Sequence, residues 1–221
     1  MKINHHLTSS LFFTLIILST GTTLGQSVPL TVKGLKSVNV KIEDAEYKGK
    51  KGIRVTGTKD GDQMAIVTGT DFKNGTIELE VSGKPLPGTD TTFRGFIGLA
   101  FRIKESDSLR YECFYLRPTN GRAGDQLRRN HSTQYVSEPG FPWFKLRKEN
   151  PGLYESYVDL VAGEWTKVKI VVKDTRAQLF VNGSDQPCLI VNDLKKGITT
   201  GSIGLWIGVG TDGYFRDLRV Y

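Results

Sequence analysis

TIELEVS, Thr76–Ser82, alternates apolar and polar residues without a break. Strand side chains point to opposite faces at successive residues, so Ile77, Leu79 and Val81 share one face and Glu78 and Glu80 the other. A run that is apolar on one side and charged on the other fits one sheet of a sandwich, with its core inward and water outside. TKVKIVVK (Thr166–Lys173) repeats the alternation after Gly163-Glu164-Trp165. Asp174-Thr175 then turns the chain into AQLFV (Ala177–Val181), and Asn182-Gly183 is a pair suited to the positive φ of a tight turn.

Outward from these runs, the same signature recurs. Strands are expected near Val38–Ile42, Ile53–Thr56, Met64–Thr68, Thr76–Ser82, Gly95–Ile103, Leu109–Arg117, Tyr154–Leu160, Thr166–Lys173, Ala177–Val181, Cys188–Val191, Ser202–Ile207 and Tyr214–Tyr221, separated by Gly, Asn, Asp and Pro. Helical periodicity is scarce, and no internal repeat or low-complexity segment divides the chain. So many short strands at regular spacing predict an all-β fold, a two-sheet antiparallel β-sandwich of jelly-roll type. The glycines of GSIGLWIGVGTDG (Gly201–Gly213) do not form a phosphate loop, because no helix-forming segment follows them.

The first 25 residues have the layout of a secretory signal peptide: Lys2, the apolar LFFTLIIL (Leu11–Leu18), and a small-residue exit at Thr23-Leu24-Gly25. That apolar run is too short to span a bilayer, so no stable membrane insertion is expected. Cleavage near residue 25 would leave residues 26–221 as one exported domain, secreted or periplasmic, long enough for a substantial core. The formal charge of +7 is modest, and export argues against nucleic acid as a partner despite the pI of about 9.3. Cys113 and Cys188 sit in apolar strand-like runs as small buried residues; export would permit a disulfide, and neither has zinc-ligand spacing.

RYECFYLRPTNGRAGDQLRRNHSTQY (Arg110–Tyr135) is the most polar and aromatic stretch. Tyr111, Cys113, Tyr115 and Arg117 alternate with Glu112, Phe114 and Leu116, and Pro118 and Asn120-Gly121 stop the strand. Beyond them Arg122, Asp125, Gln126, Arg128, Arg129, Asn130 and His131 offer more hydrogen-bonding groups than a connection needs, and loops carry function more often than the scaffold beneath. The plainer reading is a long solvated loop.

GFIGLAFR (Gly95–Arg102), RYECFYLRPTNGRAGDQ (Arg110–Gln126), YESYVDL and GEWTKVKI (Tyr154–Ile170), LFVNG (Leu179–Gly183) and GSIGLWIGVGTDGYFRDLRV (Gly201–Val220) together resemble the concanavalin A-like lectin/glucanase sandwiches. Within them the chain is most similar to exported bacterial domains described as 3-keto-disaccharide hydrolase or family-16-glycosidase-like. The resemblance implies a saccharide partner bound on the concave sheet or its rim, and glycoside hydrolysis of the 3-keto-disaccharide type. The paired strand carboxylates of family-16 enzymes have no counterpart: Glu43-Asp44-Ala45-Glu46 has the wrong spacing, and Glu78 and Glu80 face water. No catalytic pair is carried over.

Pairing Arg102 with Tyr111 would put Arg102, Tyr111, Tyr115 and Arg117 on one face, tyrosines giving flat area with a hydroxyl edge and arginines forked donors. Glu112 then lands on the core face, unless a one-residue shift pairs it with Arg102 in the cleft. The expected binding set is Arg102, Tyr115, Arg117, Gln126, Arg128, Arg129, Asn130, His131 and Trp143, with Glu112, Asp125 and His131 as catalytic candidates. Trp143 either stacks on a sugar or locks its loop, whereas Trp165 and Trp206 are expected in the core. No metal site is expected, although Asp90, Asp125, Asp193 and Asp212 could donate oxygens to a structural calcium. The alternative is a non-catalytic carbohydrate-binding or structural module, whose arginines and carboxylates would close into an ion-pair network without an open pocket. Arg128, Arg129, Lys145, Arg147 and Lys148 could also hold an anionic polymer, or simply form a solvated basic face.

Overall fold

The computed structural model describes Met1, residues 26–90 and residues 92–221. The expected leader, residues 1–25, lies outside the described residues except for Met1. In chain order the strands are β1 (Gln26–Ser27), β2 (Leu35–Val38), β3 (Lys41–Tyr47), β4 (Lys50–Gly57), β5 (Met64–Phe72), β6 (Gly75–Pro85), β7 (Ile97–Glu105), β8 (Leu109–Leu116), β9 (Thr133–Glu138), β10 (Glu155–Ser156), β11 (Thr166–Lys173), β12 (Arg176–Val181), β13 (Leu189–Val191), β14 (Gly201–Ile207) and β15 (Thr211–Val220). Among the described residues they form two antiparallel sheets. The first runs β13-β12-β11-β6-β15-β4-β3, with β1 on β15, and the second β10-β9-β8-β7-β14-β5-β2. The fold is thus the expected all-β jelly-roll sandwich. Among the described residues no helix is long and apolar enough to cross a membrane.

The core between the sheets follows the alternation. Ile77, Leu79 and Val81 of β6 and Val168, Ile170 and Val172 of β11 are buried against Ile97, Leu99, Phe101, Phe114 and Leu116 of the second sheet. Glu80, on the other face of β6, pairs with Lys50 at 3.0 Å. Lys173 opposes Arg176, so Asp174-Thr175 is a two-residue turn, with Asp174 at φ 53°. The expected strand Val38–Ile42 is split at Asn39 (φ 53°), where the chain leaves β2 in the second sheet for β3 in the first.

Two expectations change around the polar stretch. Residues after Arg117 are more than a loop: α1 (Gln126–Asn130) and β9 follow, and β9 pairs along β8. Its sequence, TQYVSE, is polar on both faces, with Thr133 and Ser137 buried beside Tyr135, so it lacks the apolar alternation that marks a strand. The expected strand Tyr154–Leu160 shrinks to β10, because its partner β9 begins at Thr133, opposite Ser156, and the ladder ends there. A second helix, α2 (Trp143–Glu149), follows β9.

The register of β7 and β8 also departs from expectation. Phe101 opposes Glu112 but Lys104 opposes Arg110, so two residues face Tyr111 in a β-bulge. Arg102 sits in that bulge at φ 53° and is only 1% exposed. Its guanidinium donates to the carbonyls of Lys73 (2.7 Å), Asp174 (2.7 Å) and Gly197 (2.8 Å) and to Asn74 Oδ1 (3.1 Å), tying three loops together. It does not share a face with Tyr115. Glu112 is fully buried on the inner face, where Tyr135 Oη (2.5 Å) and the Lys196 amide (2.8 Å) donate to it.

Candidate functional site

The outer face of the second sheet is apolar rather than solvated. Met64, Ile66, Ala100, Ile103, Tyr111, Cys113, Tyr115 and Val136 form a separate buried cluster there, with Phe96 and Trp206 packed against it. Both cysteines are free, and burial pushes the Cys113 thiol well up.

A cavity of about 920 Å³ opens on this face, within the range usual for small-molecule sites. Its floor rests on a missing side chain. Trp206, Gly98 and Tyr115 are consecutive partners across β14, β7 and β8. Because Gly98 has no Cβ, the Tyr115 and Trp206 rings meet over the intervening strand, 4.8 Å apart and 28° from parallel. A Cβ at Gly98 would lie 2.1 Å from the Phe114 carbonyl oxygen and 2.6 Å from Tyr115 Cβ. Gly98→Ala is therefore expected to cost about 2 kcal/mol through overpacking, measurable by urea denaturation; an unchanged midpoint would contradict this packing. Trp206, expected in the core, is instead half-exposed on this floor, and Trp165 lies on the outer face of the first sheet against Tyr47.

One end of the cavity is cationic. Arg117, buried on the wall, donates to the His131 carbonyl (3.0 Å), Tyr115 Oη (2.9 Å) and Gln134 Oε1 (3.0 Å). Glu155, buried behind His131, accepts a forked pair from Arg147 (2.9 and 2.6 Å) and lies 3.2 Å from His131 Nε2 and 4.0 Å from Arg117 Nη1. Burial lowers the His131 pKa; the pull of Glu155 opposes this, while Arg147 and Arg117 add to it. His131 is thus neutral near pH 7. In the tautomer that carries its proton on Nε2, the nitrogen facing Glu155, Nδ1 has the free lone pair. Burial likewise pushes the Tyr115 hydroxyl up to about 12. Arg94 and Arg128 line this end too, and Arg94 is lowered first by burial and then by the charge of Arg128.

The opposite end is acidic. Tyr111 donates to Asp62 Oδ1 at 2.5 Å, and Glu138 is the register partner of Tyr111. Burial, then the Asp62 charge, raises the Glu138 carboxyl. Trp143 and Phe144, 44% and 60% exposed, form the rim with Pro142, and the Arg147 guanidinium lies 4.8 Å from the Trp143 ring.

The structure brings Tyr115, Arg117, Arg128, His131 and Trp143 together around the cavity. The remaining candidates lie elsewhere. Asp125 caps α1 by accepting from the Arg128 amide (2.7 Å), Gln126 donates to Asn130 within that helix, and Arg129 donates to Tyr157. Glu112 and Arg102 face the interior, as described above. Asp90 accepts from the Thr92 amide, Asp193 from Tyr154, and Asp212 from Arg54; among the described residues no group of three or more His, Cys, Asp or Glu could hold a metal ion. Asp62, Arg94, Glu138, Glu155 and Trp206 were not among the expected site residues. For Trp206 the signal existed: Leu205 faces the core, so its neighbour faces out.

A family model described as a 3-keto-alpha-glucoside-1,2-lyase-like domain matches residues 28–221. No curated protein sequence matches significantly. Among solved structures, the carbohydrate binding module CBM66 from Bacillus subtilis superposes with a TM-score of 0.57 at 15% identity, over 84% of this chain and 93% of that one. A Bacillus subtilis protein of unknown function with a galectin-like fold gives 0.56 at 13% identity, over 86% and 90%. The carbohydrate recognition domain of Emp46p gives 0.51 at 12% identity, over 88% and 95%. At these identities the likeness is one of fold.

Proposed function

Because the chain belongs to the 3-keto-alpha-glucoside-1,2-lyase-like family, we propose that the outer-face cavity binds a 3-keto-α-glucoside and cleaves it by elimination. The observation that carries this reading is the His131–Glu155 pair, 3.2 Å apart, with His131 on the cavity wall among arginines and Glu155 buried behind it. Tyr115 and Trp206 would give one face of the sugar a flat apolar floor. A ketone at C3 acidifies the hydrogen on C2. His131 Nδ1 takes that proton, the C–H electrons pass to the C3 oxygen as an enolate, and the cationic end stabilises the charge. Collapse of the enolate re-forms the ketone, makes the C1–C2 double bond and expels the C1 substituent, which leaves as an alcohol with the proton carried by His131. No water is consumed.

Product analysis of methyl 3-keto-α-glucoside by NMR tests this. The expected products are methanol and an unsaturated 3-keto sugar, and 3-keto-glucose carrying solvent oxygen at C1 would overturn elimination. That second outcome favours a hydrolytic reading, motivated by the Asp62–Glu138 pair, in which Glu138 with its raised pKa serves as the acid. The open cavity lined by Tyr115 and Arg117 weighs against a module whose ion pairs close over it.

The pH profile gives an independent check. The lowered His131 pKa keeps the base form populated further into acid, so kcat/KM should hold level through neutrality and fall only below pH 6.5, the ordinary imidazole value. An acid limb above pH 6.5 would contradict His131 as the base. Stability carries the matching sign: as pH drops through 6.5 the unfolded chain binds the proton before the folded one, so the folded state loses stability.

A further inference from the structure

Asn120 lines the cavity beside His131 and is 5% exposed. Its Nδ2 donates to the His131 carbonyl at 3.2 Å. That bond fixes the amide orientation, because a carbonyl can only accept. The other amide atom, Oδ1, is buried and has no hydrogen-bond partner in the protein. Buried polar atoms are nearly always satisfied, so an orphan on a cavity wall points to a group supplied from outside.

The neighbours define that group. Around Arg117 the other side-chain oxygens are engaged: Tyr115 Oη and Gln134 Oε1 accept from Arg117, and both Glu155 oxygens face Arg147 or His131. Guanidinium groups only donate. Apart from His131 Nδ1, which the proposed chemistry uses as the base, this end of the cavity therefore offers donors in excess and one unspent acceptor. A ketone, which only accepts, satisfies the donors but not Asn120. A hydroxyl on the adjacent carbon supplies the missing hydrogen.

We infer that Asn120 is a specificity-determining residue that accepts a hydrogen bond from a hydroxyl next to the substrate's ketone, so that this end of the cavity selects α-hydroxy ketones. The inference rests on the functional reading above and adds a recognition element to it. A site built to bond a hydroxyl rejects the analogue lacking it, since its own polar atom is then left unpaired.

Calorimetric titration of the full chain with methyl 3-keto-α-glucoside and its 2-deoxy and 4-deoxy analogues tests the inference. One deoxy analogue should bind at least about tenfold more weakly than the parent, and Asn120→Ala should erase that difference. Asn120→Asp, which keeps an acceptor oxygen but loses the donor to His131, should preserve it, and so separates recognition from a general disturbance of the wall. Equal binding of all three sugars to the wild type, or discrimination that survives Asn120→Ala, would overturn the inference while leaving the functional reading in place. Absence of binding by any of the three would overturn both.

Discussion

Arg102→Ala is expected to lower the melting temperature by roughly 10 °C and to leave saccharide affinity unchanged. Its guanidinium holds the carbonyls of Lys73, Asp174 and Gly197 with almost no solvent contact. Truncation leaves three carbonyls without their donor and opens a cavity where a fully buried arginine had been, for which about 4 kcal/mol is a reasonable order. The sequence alone places this residue in the binding face, and the bulge at Arg102 removes it. A variant with normal stability but weakened saccharide binding would restore the sequence-based assignment. Differential scanning calorimetry and titration on one preparation separate the two.

Glu155→Gln should do the reverse, costing more function than stability. The buried carboxylate anchors Arg147, orients His131 and faces Arg117. The amide cannot neutralise two guanidinium groups and turns a donor toward one of them. Removing one member of a buried charge network costs about 3 kcal/mol, with Arg147, partly exposed, able to rehydrate. Turnover should fall about a thousandfold, as expected when a general base loses the group that sets its tautomer. Loss of Glu155's pull also lets burial and the arginines depress the His131 pKa further, so the acid limb of the residual activity should move to lower pH. Unchanged turnover, or a limb that moves up, would remove Glu155 from the proposed chemistry.

These variants mark where the chain's sequence is explicit. Thr76–Ser82 and Thr166–Lys173 declare their faces because one side is wholly apolar, and the structure buries those residues as expected. Parity also put Tyr115 and Arg117 opposite Phe114 and Leu116. Parity fails where a bulge inserts one residue, and nothing local in FRIKES announces the bulge at Arg102. Glu112 could not be placed because its partners, Tyr135 and the Lys196 amide, are 23 and 84 residues away. Thr133–Glu138 went unseen as a strand because four of its five buried side chains, those of Thr133, Gln134, Tyr135 and Ser137, carry a hydroxyl or an amide, and tertiary contacts such as Gln134 with the Tyr154 carbonyl make their burial possible. Glu155 lay in a segment whose alternation resembled an ordinary strand, and its role depends on Arg117, His131 and Arg147 converging from three separate segments.

The most direct test of the account is turnover of methyl 3-keto-α-glucoside, protonated or deuterated at C2, by the wild type and by His131→Gln. Proton abstraction by His131 predicts a primary isotope effect in the wild type, and a variant that binds the sugar with wild-type affinity but does not cleave it. Cleavage by His131→Gln at the wild-type rate with the same isotope effect would contradict the assignment and place the base elsewhere.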